Sequence, residues 1–138
     1  MKNILILLVC FLCSAQTIDA QKSKWPTLDK SAMDMIQYPN GVAWKNYLSG
    51  DDRNLQPQIK VLYSRPMKKD REIFGALVPY GKEWRLGANQ ATEVTFYQSV
   101  SVGGVALPRG AYTMFATPKA DAWTISFSSQ RNIWGSDK

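Results

Sequence analysis

Histidine is absent from the 138 residues, and both cysteines, Cys10 and Cys13, lie near the start. That start, MKNILILLVCFLCSAQTIDAQ, has the layout of an export leader. Lys2 supplies a positive charge, and Ile4 to Leu12 is an unbroken apolar run too short to anchor in a bilayer, followed by small residues. A cut after Ala20 is preferred to one after Ala15, because the stretch between the apolar run and the cut then has a normal length. Lipoprotein processing needs a small residue before the cysteine, and Val9 and Leu12 stand there instead. The expected location is periplasmic or secreted, with a lipid anchor as the disfavoured alternative and no stable membrane insertion once the leader is gone. A mature chain starting at Gln21 contains neither Cys nor His. It therefore has no disulfide, thiolate nucleophile, Ser-His-Asp triad, structural zinc, iron–sulfur cluster or His-ligated haem. Carboxylate chemistry, Ser-Lys chemistry and oxygen-ligated calcium or magnesium survive. No cofactor or metal is expected.

Acidic residues are scarce, 11 against 17 Lys and Arg, for a net charge of +6. The leader removes one charge of each sign, Lys2 and Asp19, so the balance is unchanged. Nucleic acid is not the expected partner. The cations are scattered singly, and the one cluster, Lys68 to Glu72 (KKDRE), is neutralised internally by Asp70 and Glu72 and reads as a solvated turn. Gly50 to Pro57 (GDDRNLQP) lacks the downstream bidentate glutamate of a calcium loop and reads as a plain loop.

About 118 residues after the cut suit one domain without sulfur staples, held by its apolar core. Residues 21–58 form a polar lead-in punctuated by Pro26, Pro39, Gly41, Gly50 and Pro57, in which LDKSAMDMIQY is compatible with a helix or a strand. From residue 59 onward the pattern is β. Ile59, Val61 and Tyr63 alternate with Lys60, Leu62 and Ser64, and Pro66, which has no N–H to donate, closes that strand. Val94, Phe96, Val100 and Val102 share a face, and Gly103-Gly104 permits the positive φ of a two-residue hairpin turn. Leu107-Pro108-Arg109-Gly110 is a second turn, with Gly110 free to go left-handed, and Ala111 to Ala116 is a strand. Trp123, Ile125 and Phe127 point inward from a last strand. The expected fold is all-β: an antiparallel β-sandwich over residues 59–138, jelly-roll-like or a small barrel.

An ordered string of motifs runs through this region. It comprises Tyr63-Ser64-Arg65-Pro66, Ile73-Phe74-Gly75, Leu77-Val78-Pro79-Tyr80-Gly81, Trp84-Arg85-Leu86-Gly87-Ala88-Asn89, Ala91-Thr92, Leu107-Pro108-x-Gly110-x-Tyr112 and Trp123-Thr124-Ile125. It resembles the bacterial family called domain of unknown function 2911, over roughly residues 27 to 135. The resemblance implies an exported, β-rich envelope protein and carries no agreed activity. Gln90 stands where the family usually has glutamate, which weakens any catalytic acid there. The family normally runs on for a few dozen residues, so this chain is expected to be C-terminally short, missing its last strand or strands. Its exposed sheet edge would then suit a protein partner.

The stretch Glu83 to Thr92 (EWRLGANQAT) allows two readings. As a corner, Trp84 packs on a sheet, Arg85 pairs with Glu93 or stacks on an aromatic ring, Gly87 supplies a bend and Asn89 satisfies loop backbone. As a ligand rim, Arg65, Arg71 and Arg85 supply cations, Tyr80 and Trp84 supply rings, and Asn89, Gln90 and Thr92 supply neutral hydrogen-bonding groups. These eight residues are the candidate binding site for a small-molecule ligand, carbohydrate-like or anionic. The alternative function is a carboxylate-based hydrolase of envelope glycans, with Glu83 or Glu93 opposite Glu72 or Asp121. No catalytic residue is assigned. Ser64 and Lys60, four apart on a strand, stand roughly 13 Å apart and form no dyad.

Overall fold

The computed structural model describes residues 30–135; the expected leader and both cysteines lie outside that range. The described residues form eight strands: β1 (Met33–Tyr38), β2 (Ile59–Ser64), β3 (Trp84–Arg85), β4 (Glu93–Phe96), β5 (Val100–Val102), β6 (Val105–Leu107), β7 (Gly110–Pro118) and β8 (Trp123–Ser128). Two short 3-10 segments, Val42–Tyr47 and Gly50–Asn54, join β1 to β2. None of the described residues forms a helix long and apolar enough to cross a membrane. The fold is all-β and antiparallel, in two sheets, neither of which closes into a barrel.

β1, β2, β4 and β7 lie side by side in the larger sheet. The ambiguous segment before residue 39 is a strand because β2 provides a partner for each of its residues, from Met33 opposite Ser64 to Tyr38 opposite Ile59. The sheet therefore reaches back into the polar lead-in.

β7 is the organising strand. Thr113 pairs with both β4 and β8, and Phe115 and Ala116 pair with both β3 and β8. A strand has only two edges, so β3 and β4 share one edge of β7 and β8 takes the other. β3 and β4 thus form an interrupted strand, and residues 86–92 are an excursion between its halves. The Thr92 N–H donates to Leu86 O at 2.9 Å and closes the base of that excursion.

Directly opposed residues share a face, which sorts the side chains. Ile59, Val61, Val94, Phe96, Tyr112 and Phe127 lie together, with ring centroids of Phe96, Tyr112 and Phe127 separated by 6.0–6.4 Å. The opposite face buries Ser64, Thr113 and Phe115, the last two completely.

Three expectations need correction. Val94 and Phe96 do not share a sheet face with Val100 and Val102, because the Tyr97 N–H closes the ladder on Gln58 O and β2 offers no partner beyond. The chain breaks there, and β5 and β6 form the separate two-stranded sheet, turning at Gly103 (φ +57°) and Gly104 (φ +81°) as expected. Gly110 is not left-handed; it opens β7, and the Tyr112 ring lies 3.5 Å from the space a Cβ would fill while its hydroxyl donates to Pro108 O. Trp123 and Ile125 share the face of Phe127 but stay 46 % and 43 % exposed, because β8 is an outer strand.

Candidate functional site

β2 ends at Ser64, Pro66 cannot continue it, and the chain turns back through residues 67–71. Lys69 adopts a left-handed φ of +52° there. Arg71 wraps the turn, donating from Nη2 to Met67 O (2.7 Å) and from Nε to Lys68 O (3.1 Å). Residues 73–78 then fold tightly. The Val78 N–H donates to Ile73 O and the Gly75 N–H to Val78 O, and Gly75 (φ +92°) lies under the Tyr80 ring. Val78 is buried, and the Phe74 ring meets the Trp123 ring edge-on at 4.6 Å. The Gly81 N–H donates to Pro118 O, tying the segment to the end of β7.

Between this segment, β3 and the ends of β7 and β8 lies a cleft of about 760 Å³. Met67, Ile73, Phe74, Leu77, Trp84, Leu86 and Trp123 are the larger apolar groups in its wall, with Val78 beside them. Lys30, Lys68, Lys69, Arg71 and Arg85 also line it, and no described lining residue is acidic. Glu72, Glu83, Glu93 and Asp121, the acids weighed for hydrolysis, are not among the lining residues. The described residues hold no cluster of three or more metal-ligating side chains.

The eight candidate residues separate. Arg71, Trp84 and Arg85 line the cleft, with Arg85 Nε shielded from solvent. Arg65 does not line it; its Nε is 2.7 Å from Asp34 Oδ2, an ion pair between β1 and the end of β2. Tyr80 covers Gly75, where a Cβ would stand 2.8 Å from its ring. Asn89 (φ +59°) offers its carbonyl to the Gly135 N–H, Gln90 bridges to Trp134, and Thr92 is buried with its carbonyl accepting from the Met114 N–H. Local pattern did not single out Lys68 and Lys69, because Asp70 and Glu72 beside them in sequence suggested neutralisation; neither acid lines the cleft.

The corner reading accounts for the second half of the decapeptide. Ser64 Oγ accepts from the Ala88 N–H at 2.6 Å and donates to Ala88 O at 2.9 Å. A Cβ on Gly87 (φ +93°) would stand 2.8 Å from Ser64 Oγ and 3.2 Å from Thr92 Oγ1. The far side is closed by residues 130–135. Gln130 O accepts from Thr113 Oγ1, and Ile133 O accepts from the Ala91 N–H. Glu93 is held from this side: Arg131 donates to its Oε2 (3.1 Å) and the Asn132 N–H to its Oε1 (2.9 Å). Segments far apart in sequence thus meet at one corner, two of them, residues 63–66 and 84–92, carrying parts of the motif string.

The family described as Protein of unknown function (DUF2911) matches residues 51–138. The chain belongs to that family. No curated protein and no solved structure matches it. In this DUF2911 chain the matched span holds β2 to β8 and most of the cleft wall, while β1 and Lys30 lie upstream of it.

Proposed function

We propose that this DUF2911 chain is a binding domain that takes up an organic anion in the cleft between residues 66–71 and β3, and that it works outside the cytoplasm after loss of its leader. One observation carries the reading: five cationic residues line a concave wall in which no described residue is acidic. A cleft of one sign with apolar walls focuses the field and concentrates counter-ions, and guanidinium and ammonium groups hold carboxylate, sulfate or phosphate by charge-assisted hydrogen bonds. A volume of about 760 Å³ lies within the roughly 300–1,000 Å³ range of small-molecule sites. Carbohydrate is the weaker ligand class. Asn89, Gln90 and Thr92, which would read hydroxyls, are not among the lining residues, and Ser31 is the one Ser, Thr, Asn or Gln among the described lining residues. Hydrolysis by an acid and a nucleophile needs two carboxyls roughly 5–9 Å apart across the substrate, and the described wall supplies none.

The test is a thermal-shift and calorimetry panel of organic anions, neutral oligosaccharides and organic cations. Anions should raise the melting temperature, with an effect that weakens as salt rises. The Lys68→Glu/Lys69→Glu variant should retain its fold and lose that response. Binding of neutral sugars in preference to anions would reverse the conclusion.

A further inference from the structure

Resting on the anion-binding reading, we infer that the ligand is an amphiphile: a single acidic head on a linear aliphatic or aromatic body. The apolar wall carries the step. Met67, Phe74, Leu77 and Trp123 remain 57 %, 44 %, 47 % and 46 % exposed, and all four line the same cleft. Scattered exposed apolar side chains are ordinary, but a contiguous apolar surface rimmed by charge marks a binding site. An inorganic anion would engage the cations and leave this surface wet, because it fills only a small part of about 760 Å³. The Phe74–Trp123 edge contact at 4.6 Å sets two rings against one another in the wall. Both are held by regular structure, Trp123 opposite Pro118 in the β7–β8 ladder and Phe74 in its bridge to Val78. The apolar groups line a hollow instead of projecting from the surface. That shape suits a molecule that enters, not a bilayer on which the domain rests. The cations at the turn, Lys68, Lys69 and Arg71, then take the head, while the body lies against Phe74, Leu77 and Trp123.

Calorimetric titration with butyrate, octanoate and dodecanoate, kept below micelle formation, tests this, with dodecyltrimethylammonium as the charge control and anionic phospholipid vesicles as the membrane control. We expect one-to-one binding that tightens roughly tenfold for each pair of methylenes added, until the body fills the cleft. Dodecyltrimethylammonium and the vesicles should bind at least tenfold more weakly than dodecanoate. Leu77→Asn should flatten the chain-length series, and Lys68→Glu/Lys69→Glu should weaken every member, with circular dichroism and melting temperature confirming that both variants fold. If butyrate binds as tightly as dodecanoate, the amphiphile inference fails and the anion reading stands. If dodecyltrimethylammonium matches dodecanoate, or no carboxylate binds, both fail. Preferential binding to vesicles would replace the free amphiphile by a membrane surface.

Discussion

The excursion 86–92, which walls the cleft with its first three residues, and the turn 66–71 are held in opposite ways. The excursion 86–92 is fixed by partners distant in sequence: Ser64 at Ala88, Ile133 at Ala91, Gly135 at Asn89 and Met114 at Thr92. The turn 66–71 is fixed by itself, through Arg71 on the carbonyls of Met67 and Lys68, all exposed. A loop whose backbone is locked by long-range contacts is part of the cooperative unit, and a change in it is felt by the sheet. A loop locked locally can vary its side chains at little expense to the fold. The cationic groups concentrate on the second kind, which is where ligand chemistry can reside without endangering the sheet.

The largest expected effect is at Gly87. Alanine there meets Ser64 Oγ at 2.8 Å and Thr92 Oγ1 at 3.2 Å, with φ at +93°. Left-handed strain on a Cβ-bearing residue and the forced shift of a doubly hydrogen-bonded serine together destabilise by about 3 kcal/mol. By the usual scaling for a domain of roughly 100 residues the melting temperature falls by more than about 10 °C. Ser64→Ala in the same chain removes the nearest obstruction, so the double variant should lose less than the sum of the two single losses, as a denaturant-based mutant cycle would show. Strict additivity would mean that the two residues do not meet as described.

A smaller effect is expected from Glu93→Gln. Glu93 joins β4 to the terminal segment through Arg131 and the Asn132 N–H, and its side chain is 14 % exposed against 52 % for Arg131. The amide still accepts one hydrogen bond but loses the charge. Because Arg131 is half in water, the loss is about 1 kcal/mol and not the larger figure of a buried pair. Hydrogen exchange should speed up at Ala91 and Gly135, whose amides bond across this seam, and stay unchanged at Val61 in the centre of β2. Uniform acceleration would show that the seam does not open separately from the sheet.

The same contrast explains what the sequence disclosed. β2, the core of β7 and the two-glycine hairpin could be read from two-residue alternation and turn chemistry, which are local. β1 could not, since MDMIQY fits two periods and only its register with β2 selects the strand. The break after Phe96 follows from where β2 begins, which no pattern within residues 94–102 contains. Arg71, Trp84 and Arg85 stood out as cations and rings in a short span, and they do line the cleft. Asn89, Gln90 and Thr92 looked equivalent to them, yet they do not line it, and their backbones pair with Gly135, Trp134 and Met114. Trp123 was read as an inward residue of the last strand, because exposure depends on which strand ends up outermost.

The smallest effect on stability, and the sharpest test of the contrast, is Arg71→Ala. Its bonds to Met67 O and Lys68 O are short in sequence and exposed, so each carbonyl can turn to water when the guanidinium is removed. Stability should change by no more than about 0.5 kcal/mol, within about 4 °C of melting temperature. The affinity for dodecanoate should nonetheless fall by roughly three- to tenfold, since one of the cations at the rim is gone. Arg71→Lys should recover part of that affinity through its charge while forfeiting the planar fork that holds the turn. A loss of stability approaching that of Gly87→Ala would show that the turn belongs to the cooperative unit after all. Unchanged affinity in a folded Arg71→Ala domain would remove the guanidinium from the head-group site and leave the anion to Lys68, Lys69 and the others of the rim.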